Sequence, residues 1–178
     1  MSERAFVALA DLEEFRGPSY DLAELLNRPD NADISDRFPL TVERFKSGFA
    51  GEFYLAKTKE LCEPGVREQF IIFSGQTAVG MSIVTVSALP REGVDPSWPN
   101  LSGFICNSYR RQGLGIFSLQ ERLKVVDQRF GGEAWTAVDM DNIASQRMVE
   151  AAGLKLIGDY TDEDGAKFLY TYSAGCAK

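Results

Sequence analysis

The residues with the clearest chemical potential form the segment Tyr109-Arg110-Arg111-Gln112-Gly113-Leu114-Gly115, which follows a short apolar run and opens an amphipathic one. Glycine reaches backbone conformations closed to other residues and carries no Cβ that would block a ligand. A helix beginning here adds four unpaired N–H groups and the positive end of its dipole. The segment can therefore cradle a pyrophosphate through its backbone, with Arg110 and Arg111 adding charge at the rim. A plain turn before a helix also explains the two glycines.

Residue types elsewhere in the chain exclude several other chemistries. No Gly-Lys-Ser/Thr follows the glycines, so the segment is not a P-loop, and Phe117 or Ser118 replaces the third glycine of a dinucleotide-binding fingerprint. Histidine is absent, which excludes Ser-His and Cys-His nucleophile pairs and histidine-ligated metal sites. Cys62, Cys106 and Cys176 lie far apart, which indicates reduced thiols rather than disulfides, and we predict no metal site.

Length and composition indicate one globular domain over residues 1–178, because 178 residues with 44% hydrophobic content can bury a sizeable core. The net charge of −7 argues against a nucleic-acid partner and favours cationic or amine-bearing ones, although it also serves solubility. No apolar run reaches the roughly 20 residues that span a bilayer, and the N-terminus lacks a signal-peptide pattern. We expect a cytoplasmic protein without a membrane partner. The oligomeric state stays open, with a homodimer among the alternatives.

The first third of the chain shows mixed periodicity. Residues 4–10 fit either a strand or the beginning of a helix that continues over 11–15, and of these we favour a strand followed by a helix. A short helix over 21–26, a polar loop over 28–39 and a helix from Thr41 to about residue 64 follow.

From residue 68 the pattern alternates between β-rich and helical segments. Gly131-Gly132 ends the first helix, and Asp141-Asn142 caps the second, which Gly153 closes. The connection over 90–100, rich in Pro, Gly and Trp, is either a surface loop or a wall of a substrate pocket. The order of elements predicts a mixed α/β sheet. The predicted strands cover 69–73, 78–88, 101–106, 133–140, 154–158 and 167–172, and the predicted helices cover 116–130 and 143–152.

Two stretches together resemble the GNAT superfamily of N-acetyltransferases. Arg110-x-x-Gly113-x-Gly115 matches that family's acetyl-CoA signature R/Q-x-x-G-x-G/A. Asn142-x-x-Ser145, followed by Gly153-Leu154, is similar to its N-x-x-A/S…G-F segment after the next strand. The resemblance covers about residues 68–172. It implies an α/β (α+β) fold: one domain with a mixed, mostly antiparallel central sheet flanked by helices, and variable helices over about residues 1–65.

The resemblance implies an N-acetyltransferase that uses acetyl-CoA to acetylate a primary amine of a small molecule or peptide. A non-catalytic acyl-CoA-binding module is the alternative. Backbone groups of Ile105 and Cys106 would bind the pantetheine arm and thioester. Asn142 would reach the pantetheine, unless it is only a helix cap, and Ser145 would lie near the phosphates. The pyrophosphate would bind the backbone N–H groups of Arg111, Gln112, Gly113, Leu114 and Gly115, with Arg110 completing the turn.

The same resemblance leaves the proton transfers open. Members commonly place an acid tyrosine seven residues after the asparagine, where this chain has Val149. The glutamate often used as base is also missing, because residues 101–104 carry no carboxylate. We consider Asp139 as the base and Tyr160 as the acid. The alternatives are Asp141 as base and Tyr109 or Tyr170 as acid, and all five residues also fit surface-cap or core roles.

Overall fold

The computed structural model describes residues 4–8, 66–75, 77–86 and 92–176. The helices and loop expected between residues 11 and 64 lie outside this part of the chain. The described strands are β1 (Arg4–Ala8), β2 (Arg67–Ser74), β3 (Thr77–Val86), β4 (Pro99–Ile105), β5 (Glu133–Asp139), β6 (Lys155–Asp162) and β7 (Gly165–Ser173). The described α-helices are α1 (Leu114–Arg129) and α2 (Ile143–Ala151). Short 3-10 turns cover Asn107–Tyr109 and Ala174–Cys176.

The strands form one seven-stranded sheet in the order β1-β2-β3-β4-β5-β7-β6. β1 and β2, β5 and β7, and β6 and β7 pair antiparallel, whereas β4 and β5 are parallel. Parallel neighbours need a crossover connection, and α1 lies in the chain between β4 and β5. The predicted mixed, mostly antiparallel sheet with helices is confirmed.

The chain divides into two compact units, and the first includes residues 4–8, 68–75, 77–82 and 103–115 of the described part. β2 is buried from Glu68 to Phe73, and because both of its faces are covered, its apolar residues Phe70–Phe73 follow one another without alternating with polar ones. Ile72, Val79 and Leu114 form a buried cluster in this unit, and Ile105 and Tyr109 pack against it. The start of α1 is therefore anchored in the core by Leu114.

The second unit includes residues 66–67, 83–86, 92–102 and 116–176 of the described part. Leu119, Leu123 and Val126 are buried along α1 at the spacing of one helix face. Gly131 and Gly132 end this helix with φ of 78° and 81°, as predicted, because glycine adopts the left-handed region without strain.

β6 is longer than predicted, since it continues to Asp162 instead of ending at residue 158. Its second half is polar and pairs with β7 through backbone groups, which an apolar pattern does not reveal. The hairpin closes at Asp162 and Gly165, and the backbone N–H of Asp164 donates to Asp162 Oδ1 at 3.0 Å. No helix in the described ranges is long and apolar enough to cross a membrane.

Candidate functional site

The turn from β4 into α1 is built by hydrogen bonds within the first unit. The backbone N–H of Cys106 donates to the Val79 carbonyl at 2.9 Å, and the Cys106 carbonyl accepts from the N–H of Tyr109 at 2.9 Å. Arg110 Nε donates to the Ile105 carbonyl at 3.1 Å. These bonds hold the turn on β3 and β4. Each of the Ile105 and Cys106 carbonyls therefore already accepts one hydrogen bond, and a pantetheine amide would have to donate to the second lone pair of either oxygen.

The segment 110–113 follows with two residues in the left-handed region. Arg111 has φ of 60° and Gly113 has φ of 76°, on either side of Gln112. Such alternation turns successive N–H groups toward one concave side, the geometry of an anion-binding nest. Within the described residues, the N–H groups of residues 111–115 have no acceptor, and those of 114 and 115 belong to the first turn of α1. The turn thus offers a set of unpaired donors.

Gly113 has a further neighbour that its sequence position does not show. Arg4 Nη2 donates to the Gln112 carbonyl at 2.6 Å. A Cβ placed on Gly113 would lie 3.3 Å from Arg4 Nη1 and 3.4 Å from Nη2. The missing side chain therefore makes room for the Arg4 guanidinium as well as permitting the positive φ. Among the residues of the motif, Leu114 is buried, Gly115 is half-buried, and Arg110, Arg111, Gln112 and Gly113 are exposed.

Asn142 and Ser145 meet at the start of α2 in the second unit. Asn142 Oδ1 accepts from the backbone N–H of Ser145 at 3.1 Å, so the predicted helix cap is confirmed. The helix cap uses only the oxygen of the Asn142 amide, and Nδ2 has no acceptor among the described residues. Gln146 Nε2 donates to the carbonyls of Asp139 and Met140 at 3.1 and 2.8 Å and holds the preceding turn. Capping thus leaves the Asn142 amide nitrogen available for a ligand.

Asp139 and Tyr160 lie on one row of the sheet, with Lys167 between them. Lys167 on β7 is directly opposite Asp139 on β5 and opposite Tyr160 on β6. Opposed residues on neighbouring strands present their side chains on the same face. Lys167 Nζ lies 2.8 Å from Asp139 Oδ1 and 3.6 Å from Asp162 Oδ1. We call Asp139, Lys167 and Tyr160 the cross-strand row.

The environment of Lys167 favours its ammonium form. Desolvation by burial alone would lower the pKa of Lys167, but the hydrogen bond and charge of Asp139, with the charges of Asp162 and Asp164, raise it overall. The Asp139 carboxylate is correspondingly ion-paired, and its side chain is 17% exposed. Lys167 was not predicted from the sequence, because only the strand register identifies its neighbours.

The other candidates for proton transfer have distinct surroundings. The Tyr170 hydroxyl donates to Glu150 Oε1 at 3.2 Å, and burial, with this carboxylate, raises the pKa of Tyr170. Tyr109 packs on the apolar cluster of the first unit. Asp141 is exposed in the turn before α2. Val149 is buried in α2, so the position of the family tyrosine faces the core.

Side chains of the second unit donate hydrogen bonds to three carbonyls, one just before β4 and two within it. The single pair between β4 and β5 in the described residues joins Asn100 and Trp135. Trp135 Nε1 donates to the Trp98 carbonyl at 3.2 Å, and Thr136 Oγ1 donates to the Leu101 carbonyl at 2.7 Å. Arg122 Nη1 donates to the Ser102 carbonyl at 2.8 Å. Burial lowers the pKa of Arg122 to about 10, which keeps it charged at neutral pH.

Solved structures share this architecture across most of the chain. Aminoglycoside acetyltransferase AAC(6')-Ib in complex with coenzyme A and kanamycin has a TM-score of 0.69 at 17% identity, covering 97% of this chain and 96% of that chain. A GNAT-family acetyltransferase from Streptococcus pneumoniae has a TM-score of 0.61 at 16% identity, with coverage of 95% and 98%. yncA from Salmonella typhimurium, with its cofactor acetyl-CoA, has a TM-score of 0.55 at 13% identity, with coverage of 69% and 73%.

No protein-family model matches the sequence, and neither does any curated protein. The likeness is therefore carried by the arrangement of strands and helices, at identities of 13–17%. The chain has the fold of the GNAT acetyltransferases.

Proposed function

We propose that this chain is an acetyl-CoA-dependent N-acetyltransferase that transfers an acetyl group to a primary amine of a small molecule or peptide. The observation that carries the proposal is the turn over residues 110–115, whose N–H groups at 111–115 are unpaired among the described residues, in a chain with the GNAT fold. Backbone donors, the dipole of α1 and two arginines suit a diphosphate.

The remaining cofactor contacts follow from the side chains at the start of α2. Asn142 would donate from Nδ2 to a pantetheine carbonyl while its oxygen caps the helix. Ser145 would lie near the phosphates, and Ile105 and Cys106 would offer carbonyl oxygens to the pantetheine amides. The structures of AAC(6')-Ib and yncA with coenzyme A or acetyl-CoA support this choice of cosubstrate.

A cationic small-molecule amine is the acceptor that we favour. AAC(6')-Ib has been solved with kanamycin and with ribostamycin. In this chain Lys167 is attracted by three carboxylates, those of Asp139, Asp162 and Asp164, so negative charge is in excess around it. Together with the net charge of −7, this excess would steer a cation toward the protein. A peptide amine is the alternative acceptor.

The chemistry requires a neutral amine. An alkyl amine with a pKa near ~10.4 is about three units from neutrality at pH 7, which costs roughly 4–5 kcal/mol. Asp139 would accept the amine proton, directly or through water, because a carboxylate ion-paired with Lys167 is the form that can act as a base. Tyr160 would protonate the departing thiolate. Because a thiolate is a good leaving group, the valine at position 149 weakens acid catalysis without preventing transfer.

Thermal unfolding with acetyl-CoA tests the cofactor. A ligand near 100 times its Kd stabilises a protein by about 2.7 kcal/mol, which raises Tm by roughly 5–10 °C at this chain length. We expect such a rise. An unchanged Tm at millimolar acetyl-CoA would overturn both the enzyme and the acyl-CoA-binding module.

Turnover with a panel of amines separates the enzyme from the module. We expect acetyl-CoA hydrolysis alone to be slow, and thiol release to rise when a cationic amine such as kanamycin or a lysine-containing peptide is present. Binding of acetyl-CoA with background thiol release across the panel would support the non-catalytic module, which the buried Val149 favours. The domain extent over 1–178, the cytoplasmic location and a homodimer stay predictions of the sequence.

A further inference from the structure

We propose that Arg4, at the start of β1, is a positioning residue for the cofactor diphosphate. It fixes the peptide between Gln112 and Gly113 so that the Gly113 N–H is directed at the anion. The inference rests on the proposed function. It adds a residue that no part of the acetyl-CoA signature contains, since Arg4 and Gln112 are 108 positions apart in the chain.

The contact is short and charged. Arg4 Nη2 donates to the Gln112 carbonyl at 2.6 Å, a short hydrogen bond whose donor is ionised. The guanidinium also borders the position of a Gly113 Cβ, at 3.3 and 3.4 Å from its two terminal nitrogens. Arg4 therefore lies against the peptide before Gly113, where a glycine permits the peptide to rotate.

The backbone that carries Arg4 is held by the sheet. β1 pairs with β2 from Arg4 opposite Ser74 to Ala8 opposite Phe70. β2 is next to β3, and β3 accepts the Cys106 N–H at the base of the turn. All of these residues belong to the first unit. Arg4 is thus held in the same sheet as β3 and β4, the strands that hold the turn.

Peptide geometry converts this contact into a direction for the donor. In a trans peptide the C=O and N–H groups point to opposite sides. The Gln112 carbonyl points to Arg4, so the Gly113 N–H points away from it. Without Arg4 this peptide can rotate, because Gly113 tolerates both signs of φ. The guanidinium also polarises the peptide, which strengthens the N–H as a donor to a phosphate oxygen.

Isothermal titration of the full chain with CoA and with 3′-dephospho-CoA tests the proposal. We expect Arg4→Met to weaken both ligands by the same factor, about tenfold, because both keep the diphosphate. Arg4→Lys should recover part of the loss, since a lysine ammonium keeps the charge and can donate one hydrogen bond. Arg129→Met is the matched control, because it removes an exposed arginine at the C-terminal end of α1, a helix of 16 residues and roughly 24 Å in length.

The unliganded Tm distinguishes positioning from support of the fold. We expect Arg4→Met and Arg129→Met to melt within about 2 °C of each other. Equal CoA affinity in the two variants would overturn the role of Arg4, as would a loss of affinity that parallels a large fall in Tm. A loss of affinity for CoA without a loss of affinity for 3′-dephospho-CoA would assign Arg4 to the 3′-phosphate instead and overturn the proposal. Failure of the unmodified chain to bind CoA would overturn the proposed function as well.

Discussion

The turn over residues 106–115 and the cross-strand row of Asp139, Lys167 and Tyr160 use different parts of the polypeptide. The turn offers backbone N–H groups, and its conformation depends on two left-handed residues, Arg111 and Gly113. The row offers side chains from three strands, and its composition depends on which residues face each other. A contiguous segment can therefore encode the first, whereas the second exists only once the strands are in register.

The two regions also differ in charge. Arg110 and Arg111 are exposed beside N–H groups that have no acceptor in the described part of the chain, so the turn is electropositive. Around Lys167 three carboxylates attract a single ammonium. A diphosphate suits the first environment and an amine suits the second, in accordance with the two substrates of the proposed reaction.

The largest effect is expected for Gly113→Val, which should abolish detectable CoA binding in a calorimetric titration. A β-branched residue at φ of 76° is strained, and its Cβ would press on Arg4. Gly131→Val is the matched control, because Gly131 has φ of 78° with nothing within 4 Å of its Cβ position. Both variants should lose similar stability and only the first should lose the cofactor. Retained affinity in Gly113→Val would refute the placement of the diphosphate.

Asp139→Asn should lower turnover by about 100-fold, the contribution typical of a general base, with unchanged acetyl-CoA affinity. Asp162→Asn removes a second carboxylate from the same lysine, whose Nζ is 3.6 Å away, and should keep most of the activity. Steady-state kinetics with the best amine of the panel measure both. Equal losses in the two variants would assign the effect to the charge of the row and would exclude Asp139 as the base.

Asn142→Asp should weaken CoA binding by about tenfold while preserving the cap of α2. The variant keeps an oxygen that accepts from the Ser145 N–H, and its charge favours the helix N-terminus, so Tm should be unchanged or higher. Asn142→Ala should lose both the ligand contact and about 1 kcal/mol of stability. If Asn142→Asp binds CoA like the unmodified chain, the residue is a cap alone.

The smallest effect concerns the pH dependence of stability at Lys167. Its pKa is raised above the ordinary 10.5 in the folded chain, so its ammonium stabilises the fold below pH 10.5 and this contribution is lost as the pH rises through the folded pKa. Lys167→Met should cost about 1 kcal/mol at pH 8. The difference in unfolding free energy between the two proteins should shrink above pH 10.5 in urea titrations. A constant difference up to pH 11.5 would contradict the ion pair.

Much of the described fold could be predicted from sequence because its elements have local signals. The spacing of Leu119, Leu123 and Val126 predicts α1, and Gly131-Gly132 predicts its end. Asn142 predicts the start of α2. The polar half of β6 could not be predicted, because backbone pairing with β7 forms it without an apolar face. β4 begins at Pro99, two residues before the strand predicted over 101–106.

The residues of the candidate site likewise include some that the local sequence predicts and some that it does not. The chain order alone determined the glycine turn, the helix that follows it and the cap at Asn142, because each depends on residues within a few positions of one another. Only the tertiary structure decided that Arg4 contacts Gln112, that Lys167 pairs with Asp139, and that Arg122 holds a carbonyl of β4. These contacts join residues 20 to 108 positions apart, and strand register and packing, which no local pattern encodes, bring them together.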